Sequence, residues 1–155
     1  CARKNNEGDL ELVHGDSRIE VLEKDMTAEE YYELLAKSDI LYAPSRWEGL
    51  GLHLYEGLAL GIPVISCDIP PINEVITDGF DGLLVECRPI GKRPSGITIY
   101  EPKIEGLLNA LKTLTNSNQI NELGQNTAQS RQRLSWDKTK TGFHVLLTSA
   151  TRNFK

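Results

Sequence analysis

The sequence predicts an α/β fold with a Rossmann-like parallel sheet that carries helices on both faces. Short apolar runs, which are typical of buried strands, alternate along the chain with segments whose apolar residues recur at helical spacing. Near residue 50, a strand, a glycine-containing loop, a helix and a second strand follow one another directly. That order is the crossover unit of a parallel sheet, in which ligands bind outside the carboxyl ends of the strands.

Length and composition are those of one globular domain. The chain has 155 residues, of which 39% are hydrophobic and 25% are charged, and a chain of this size can bury a proper core. With 17 basic and 22 acidic residues the net charge is −5, which argues against a general nucleic-acid-binding surface. There is no run of 18 apolar residues and no signal-peptide pattern. We therefore predict a single, cytoplasmic domain over residues 1–155 that does not itself span a membrane.

The three cysteines predict neither a disulfide framework nor a metal site. They are odd in number, and no C-x-x-C pair or neighbouring histidine accompanies Cys1, Cys67 or Cys87. Cys67 and Cys87 each end an apolar run, so they could be neighbours on adjacent strands. We expect reduced, buried thiols.

The residues before the central unit predict two short strands and a helix. We expect a loose polar end at residues 1–8, followed by a strand at 10–13, a turn at 14–17 and a second strand at 19–22. Thr27 and Glu30 have the spacing of a capping box, in which each side chain accepts a hydrogen bond from the backbone amide of the other residue. The helix that they begin is expected to end near Lys37.

The central unit opens with an apolar strand at 40–43, which Pro44 ends because proline has no amide to donate to a sheet. From Leu52 the apolar spacing is helical. Gly61 is suited to end this helix, because glycine readily takes the left-handed conformation found there. Residues 62–67 are predicted to form the next buried strand.

The rest of the chain continues the alternation of strand and helix. The predicted elements are a loop that opens a short helix at 70–76, a strand at 83–85, a loop at 88–96, an edge strand at 97–100 and helices at 104–114, 119–134 and 135–150. Glycine and proline among basic residues predict the loop, and Ser135 is expected to cap the last helix. Residues 135–155 are thus assigned to a C-terminal helix and tail.

The loop before the central helix carries the predicted chemistry. Gly49 and Gly51 let the backbone pass close to another object. The amides of residues 49–52 stand at a helix N-terminus, where unpaired donors and the helix dipole suit a phosphate. Glu48 and Glu56 bracket the loop with seven residues between them. A carboxylate one turn into the helix can accept two hydrogen bonds from a vicinal diol such as a ribose.

Both glutamates stand inside the stretch P-S-R-W-E-G-L-G-L-H-L-Y-E-G-L-A-L-G-I-P-V-I, residues 44–65. It resembles the E-x7-E signature of retaining glycosyltransferases with the GT-B fold, and it is most similar to the family four, or group 1, type. Residues 34–40 and 73–85 resemble the family's sequence on either side, which makes the similarity more specific than the signature alone. The resemblance implies the C-terminal, donor-binding half of a GT-B fold, incomplete at its N-terminus.

The resemblance also implies a role for each residue of the loop. Glu48 is expected as the catalytic glutamate near the donor sugar and its phosphate, and Glu56 as the ligand of the ribose. The backbone amides expected to hold the diphosphate are those of Gly49, Leu50, Gly51 and Leu52. The alternatives are a loop-capping role for Glu48, a solvated carboxylate at Glu56 and a plain tight turn at the glycines.

Three further side chains lie close to this loop in sequence. Arg46 could neutralise phosphate charge, but we expect a surface arginine. We expect Trp47 to pack beneath the loop rather than to stack on a ligand. His53 is expected to be structural, because no orienting partner accompanies it.

The implied reaction is hexosyl transfer from a nucleotide diphosphate sugar to a hydroxyl acceptor, with retention of anomeric configuration and without a metal or other cofactor. The implied partners are the donor, a sugar, lipid or polysaccharide acceptor, and the N-terminal GT-B domain, through which the protein could lie peripherally at a membrane; nucleic acid is not expected. The family's basic pair that neutralises the departing diphosphate has no recognisable copy here, so the chain alone is expected to be inactive or weakly active. Two alternatives stay open: a nucleotide-sugar 2-epimerase-like domain and a non-catalytic nucleotide-binding fragment.

Overall fold

The computed structural model describes residues 16–152. The predicted loose end at 1–8 and the predicted strand at 10–13 lie outside these residues. In chain order the helices are α1 (Ala28–Ala36), α2 (Leu52–Ala59), α3 (Ile72–Val75), α4 (Ile104–Thr113), α5 (Ser117–Arg133) and α6 (Trp136–Arg152). The strands are β1 (Leu41–Ala43), β2 (Val64–Cys67), β3 (Gly82–Val85), β4 (Cys87–Lys92) and β5 (Thr98–Pro102). The chain divides into two compact units between Leu34 and Leu35, and each is described by itself.

The first unit contains a turn, an irregular segment and most of α1. The predicted capping box is confirmed: Thr27 N donates to Glu30 Oε2 at 2.9 Å, and Glu30 N donates to Thr27 Oγ1 at 3.2 Å. The predicted strand at 19–22 is wrong, because these residues are irregular and pair with no strand of the described chain. Ile19 and Leu22 are 48% and 42% exposed. Alternating hydrophobicity gives a strand only where a neighbouring strand supplies the ladder.

The second unit is built on a three-stranded parallel sheet in the order β1-β2-β3. Leu41 of β1 lies opposite Val64 of β2, and Val64 lies opposite Gly82 of β3. The chain runs from β1 through α2 to β2 and then through α3 to β3, so both connections are the crossovers that parallel strands require. The predicted parallel sheet is confirmed.

Helices cover both faces of this sheet, as the sequence predicts. Val64 and Ile65 are neighbours on the central strand, so their side chains point to opposite faces. Val64 belongs to an apolar cluster with Leu54 and Leu58 of α2 and with Ile72 and Val75 of α3. Ile65 belongs to a second cluster with Val85, Ala110, Leu114 and Leu123, which draws on α4 and α5. The result is a Rossmann-like α/β layer arrangement.

An antiparallel hairpin made of β4 and β5 follows the sheet. The prediction of a loop at 88–96 is therefore wrong for its first half, whereas a strand at 97–100 is confirmed within β5. The register shifts between Pro89 and Gly91. Such an irregularity lets a two-stranded ribbon accommodate a proline, which a central strand would exclude.

Two helix ends agree with the sequence-based expectations, and one helix begins earlier than expected. Gly61 follows α2 with φ of 87°, in the left-handed region. Ser135 Oγ accepts a hydrogen bond from Lys138 N at 3.3 Å, which confirms its capping role. The helix expected from 119 begins earlier, at Ser117, because Asn116 provides the cap by accepting from Asn118 N at 3.0 Å.

A buried carboxylate fastens α5 to the loop before β3. Asp81 is fully buried; its Oδ1 accepts from Thr77 N at 2.7 Å, and its Oδ2 accepts from Ser130 Oγ. Arg133 Nη2 lies 3.6 Å from the same Oδ2 and donates to the Val75 carbonyl at 2.6 Å. These contacts hold the segment between β2 and β3 against the long helix.

The last helix leaves several large apolar side chains open. Phe143, Leu146 and Leu147 of α6 are 61%, 66% and 65% exposed. None of the helices between residues 16 and 152 is both long enough and apolar enough to cross a bilayer.

Candidate functional site

The predicted loop connects the carboxyl end of β1 to the N-terminus of α2. Residues 68–71, between β2 and α3, leave the neighbouring strand at the same edge, because the two strands are parallel. Asp68 N donates to the Val85 carbonyl at 2.8 Å, and Asn73 Nδ2 donates to Asp68 Oδ1 at 2.9 Å. Two loops thus lie at the edge where α/β sheets bind ligands.

Gly51 shapes the turn from loop to helix. It occupies the N-cap position with φ of 65° and ψ of 44°, in the left-handed region that side chains disfavour. A Cβ at this position would also lie 2.8 Å from Leu54 Cδ1. Glycine is therefore required here, and as the cap it brings no side-chain oxygen to the first amides of α2.

The backbone amides around Gly51 remain open. Leu54 N donates to the Gly51 carbonyl at 2.9 Å. We find no acceptor within residues 16–152 for the amides of Leu50, Gly51, Leu52 and His53. Leu50 and Leu52 are 70% and 62% exposed. Consecutive free donors at the positive end of a helix form a concentrated site of partial positive charge.

Glu48 takes up one of the amides that the sequence assigns to a ligand. Its Oε1 accepts from Gly49 N at 2.9 Å, and its side chain is half-buried. In this structure Glu48 therefore has the loop-capping role that the sequence analysis gives as its alternative. The carboxylate lies beside the open amides, because Gly49 is their immediate neighbour in the chain.

Glu56 lies one helical turn beyond the loop. It follows Leu52, the first residue of α2, by four positions, and side chains four residues apart share a helix face. Glu56 is half-buried, and its Cα–Cβ bond points toward the N-terminal end of α2, as all Cα–Cβ bonds of a helix do. Its role as a ribose ligand stays a prediction.

The β4–β5 hairpin packs against the first half of the loop, which the sequence did not reveal. Tyr100 N donates to the Arg46 carbonyl at 2.8 Å, and Arg46 Nε donates to the Tyr100 carbonyl at 3.2 Å. The guanidinium carbon of Arg93 lies 4.2 Å from the ring centroid of Trp47. Arg46 is exposed as expected, but it also anchors the loop. Trp47 is 42% exposed and serves as a platform for Arg93.

The two described cysteines are neighbours, as the sequence suggests. Cys67 is fully buried and packs with Cys87, whose Sγ donates to the Val85 carbonyl at 3.2 Å. Burial, followed by the hydrogen bond with Cys87, raises the pKa of Cys67 to about 12. Burial also raises the pKa of Cys87. Neither thiol is primed as a nucleophile, which requires a low pKa.

A separate groove of about 340 Å³ lies at the opposite edge of the sheet. Its lining includes Asp39 before β1, Gly61 and Pro63 before β2, and Asn121 of α5. Neither Glu48 nor Glu56, nor any residue between them, lines this groove. Residues 16–152 also contain no group of three or more His, Cys, Asp or Glu side chains able to hold a metal ion. The open amides beside two glutamates are therefore the stronger candidate site.

A parallel α/β sheet with a glycine loop at its carboxyl edge defines the class as a Rossmann-like domain. The family model described as glycosyl transferases group 1 matches residues 14–92, about half of the chain. The chain belongs to this family, as the resemblance in the sequence predicts.

Curated relatives match this chain over part of their own length. An uncharacterised glycosyltransferase of Methanocaldococcus jannaschii is 31% identical over 139 residues, which are 90% of this chain and 33% of the relative. A D-inositol 3-phosphate glycosyltransferase of Gordonia bronchialis is 26% identical over 117 residues, which are 76% of this chain and 23% of the relative. The chain thus spans about a third or less of the length of these two relatives.

A solved structure has the same fold. The crystal structure of the C-terminal domain of a glycosyl transferase group 1 family protein from Francisella tularensis aligns with a TM-score of 0.61. The alignment has 21% identity and covers 83% of this chain and 59% of the other. The fold class predicted from the sequence is confirmed.

Proposed function

We propose that this chain is the donor-binding half of a retaining GT-B glycosyltransferase. The reaction is transfer of a hexosyl group from a nucleotide diphosphate sugar to a hydroxyl acceptor. The observation that carries the proposal is the row of open amides at the start of α2, set between Glu48 and Glu56. Family membership supports the same chemistry, because relatives carry glycosyltransferase names.

The amides of Leu50, Gly51 and Leu52 would hold the diphosphate. Each can donate to a phosphate oxygen without breaking a bond within the described chain, and the dipole of α2 favours negative charge at this end. The same donors would stabilise the charge that develops on the departing diphosphate. Since the charge stabilisation comes from the backbone, the proposal includes no metal or other cofactor.

Glu56 would accept hydrogen bonds from the two ribose hydroxyls, since it lies one turn beyond the loop on α2. Glu48 would act near the donor sugar. Its carboxylate now accepts from the Gly49 amide, and a bound phosphate oxygen could replace it there. Donor binding would then free Gly49 N for the diphosphate and Glu48 for the sugar.

The acceptor and the remaining parts of the protein are proposed from the relatives. One relative, an Escherichia coli enzyme 29% identical over 93 residues, is named as a galactosyltransferase acting on a diphosphoundecaprenol-linked sugar. We propose a hydroxyl acceptor on a sugar, lipid or polysaccharide. We also propose an N-terminal GT-B domain as the partner that closes the cleft and lies peripherally at the membrane surface. The chain alone would transfer weakly.

Calorimetric titration of the chain with pyrophosphate and with the diphosphates of uridine, guanosine and adenosine tests this assignment. Glu56→Ala is expected to weaken binding of the preferred nucleoside diphosphate by tenfold or more, because hydrogen bonds to a charged acceptor contribute about 1.5–3 kcal/mol each. Pyrophosphate binding should not change, since it has no ribose. Glu122→Ala, which removes an exposed glutamate on α5, is the matched control. Equal nucleotide binding by wild type and Glu56→Ala would refute the ribose assignment.

A further inference from the structure

The tip of the β4–β5 hairpin is a fixed turn that starts at Arg93. Arg93 N donates to the Ile97 carbonyl, and Gly96 N donates to the Arg93 carbonyl, both at 2.8 Å. Pro94 follows Arg93, at the position where proline favours such a turn. Both backbone groups of Arg93 are therefore held in place.

This turn places a cation beside the glycine loop. The guanidinium carbon of Arg93 lies 4.2 Å from the centroid of Trp47, and Trp47 directly precedes Glu48 in the chain. The two hydrogen bonds between Arg46 and Tyr100 hold hairpin and loop together at a second point. A guanidinium over an aromatic ring is attracted by the ring face, and its N–H edge stays available for an anion.

The charge of Arg93 is not neutralised by an ion pair with any residue between 16 and 152. On the same hairpin, by contrast, Arg88 pairs with Glu101. In a chain with net charge −5, an unpaired arginine over Trp47, a residue of the loop that carries the open amides, gives that loop a local positive potential.

We infer that Arg93 is a phosphate-binding residue of the donor site, supplying a positive charge to the diphosphate held by the amides of Leu50, Gly51 and Leu52. The inference rests on the proposed function of this loop. Arginine suits the role because its planar fork matches the geometry of phosphate oxygens. The hairpin would thereby be part of the binding site as well as a support for the loop.

Titration of the full 155-residue chain with pyrophosphate and with free nucleosides tests the inference. Arg93→Gln is expected to raise the Kd for pyrophosphate about tenfold and to leave nucleoside binding unchanged. Arg93→Lys keeps the charge but loses the planar fork of the guanidinium, so its Kd for pyrophosphate should lie between those of wild type and Arg93→Gln. Arg88→Gln is the matched control, since it makes the same charge change on the same hairpin, and its effect should stay below about twofold.

The fluorescence of Trp47 provides a second measurement. The chain has two tryptophans, so a Trp136→Phe background leaves the emission of Trp47 alone. Pyrophosphate should alter this emission when Arg93 is present and much less in Arg93→Gln.

The outcomes separate this inference from the function on which it rests. Pyrophosphate binding by Arg93→Gln equal to that of wild type would overturn the role of Arg93 alone. Equal losses for pyrophosphate and nucleosides would also overturn it, because they would show that Arg93 only supports the loop. No binding of any nucleotide or pyrophosphate by wild type would overturn the proposed function itself.

Discussion

Replacing Asp81 by alanine tests whether the buried carboxylate fastens α5 to the segment before β3. Asp81 accepts from Thr77 N at 2.7 Å and from the hydroxyl of the buried Ser130. Arg133, whose side chain is 43% exposed, lies 3.6 Å away and should contribute little. Removing the carboxylate leaves the Ser130 hydroxyl without its acceptor inside the protein, whereas water can reach Thr77, which is exposed.

The expected loss in the free energy of unfolding is about 2–4 kcal/mol. Hydrogen bonds to a charged group contribute about 1.5–3 kcal/mol each, and a buried donor left unpaired costs about 1–3 kcal/mol. The bond to the Thr77 amide is discounted because water can replace it. For a chain of this size, each kcal/mol lowers Tm by about 2–4 °C, so Tm should fall by about 10 °C.

Urea denaturation followed by circular dichroism measures this loss. Ser130→Ala should cost about 1–2 kcal/mol, because the carboxylate keeps its other donors. The double variant should cost less than the sum of the two single variants by about 1–2 kcal/mol. Ser149→Ala, at an exposed position on α6, serves as the control, with a change below about 0.5 kcal/mol. A loss under about 1 kcal/mol for Asp81→Ala, or strict additivity, would refute the reasoning.

Three further expectations concern stability. Burial raises the pKa of Cys67 from 9.0 to about 12, so the contribution of the Cys67 thiol to stability is complete below about pH 9 and is lost as the pH rises toward 12. The free energy of unfolding, taken from denaturation curves at pH 8–11, should therefore fall less steeply with pH for Cys67→Ala than for wild type; equal slopes would contradict this. Gly82→Ala should destabilise the fold by about 3 kcal/mol or more, because its Cβ would meet the backbone carbonyl of Val64; Gly142→Ala, where a Cβ meets nothing within 4 Å, is the control, and a Gly82→Ala melting curve like that of wild type would count against the packing. Thr27→Ala should cost about 0.5–2 kcal/mol through loss of the N-cap, and an unchanged unfolding free energy would show that the capping box is not needed.

The parts of the fold set by neighbouring residues could be predicted from the sequence. The crossover from β1 through α2 to β2 follows from apolar spacing, from Pro44 and from Gly61, all of which act within a few residues. The capping roles of Thr27 and Ser135 likewise depend on contacts three residues away. For such features, the residues that form the sequence pattern are the same residues that make the stabilising contact.

The parts of the fold that depend on distant residues could not be predicted from the sequence. Pro89 favours a loop when judged locally, and only pairing with β5 makes β4 a strand. The bond between Asp81 and Ser130 joins residues 49 positions apart, and neither residue type signals its partner. At the glycine loop, the sequence predicts a glutamate on either side, Glu48 before the loop and Glu56 on α2. The hydrogen bond from the Gly49 amide to Glu48, however, depends on a side-chain rotamer that no sequence pattern specifies.

The most direct test of the account is an amide NMR titration of the chain with pyrophosphate and nucleoside diphosphates. The largest shifts are expected at the amides of residues 50–53, because these donors are open to the proposed diphosphate, with a further shift at Gly49 as Glu48 is displaced. Shifts confined to the groove around Gly61 and Asn121, with the loop amides unmoved, would contradict it.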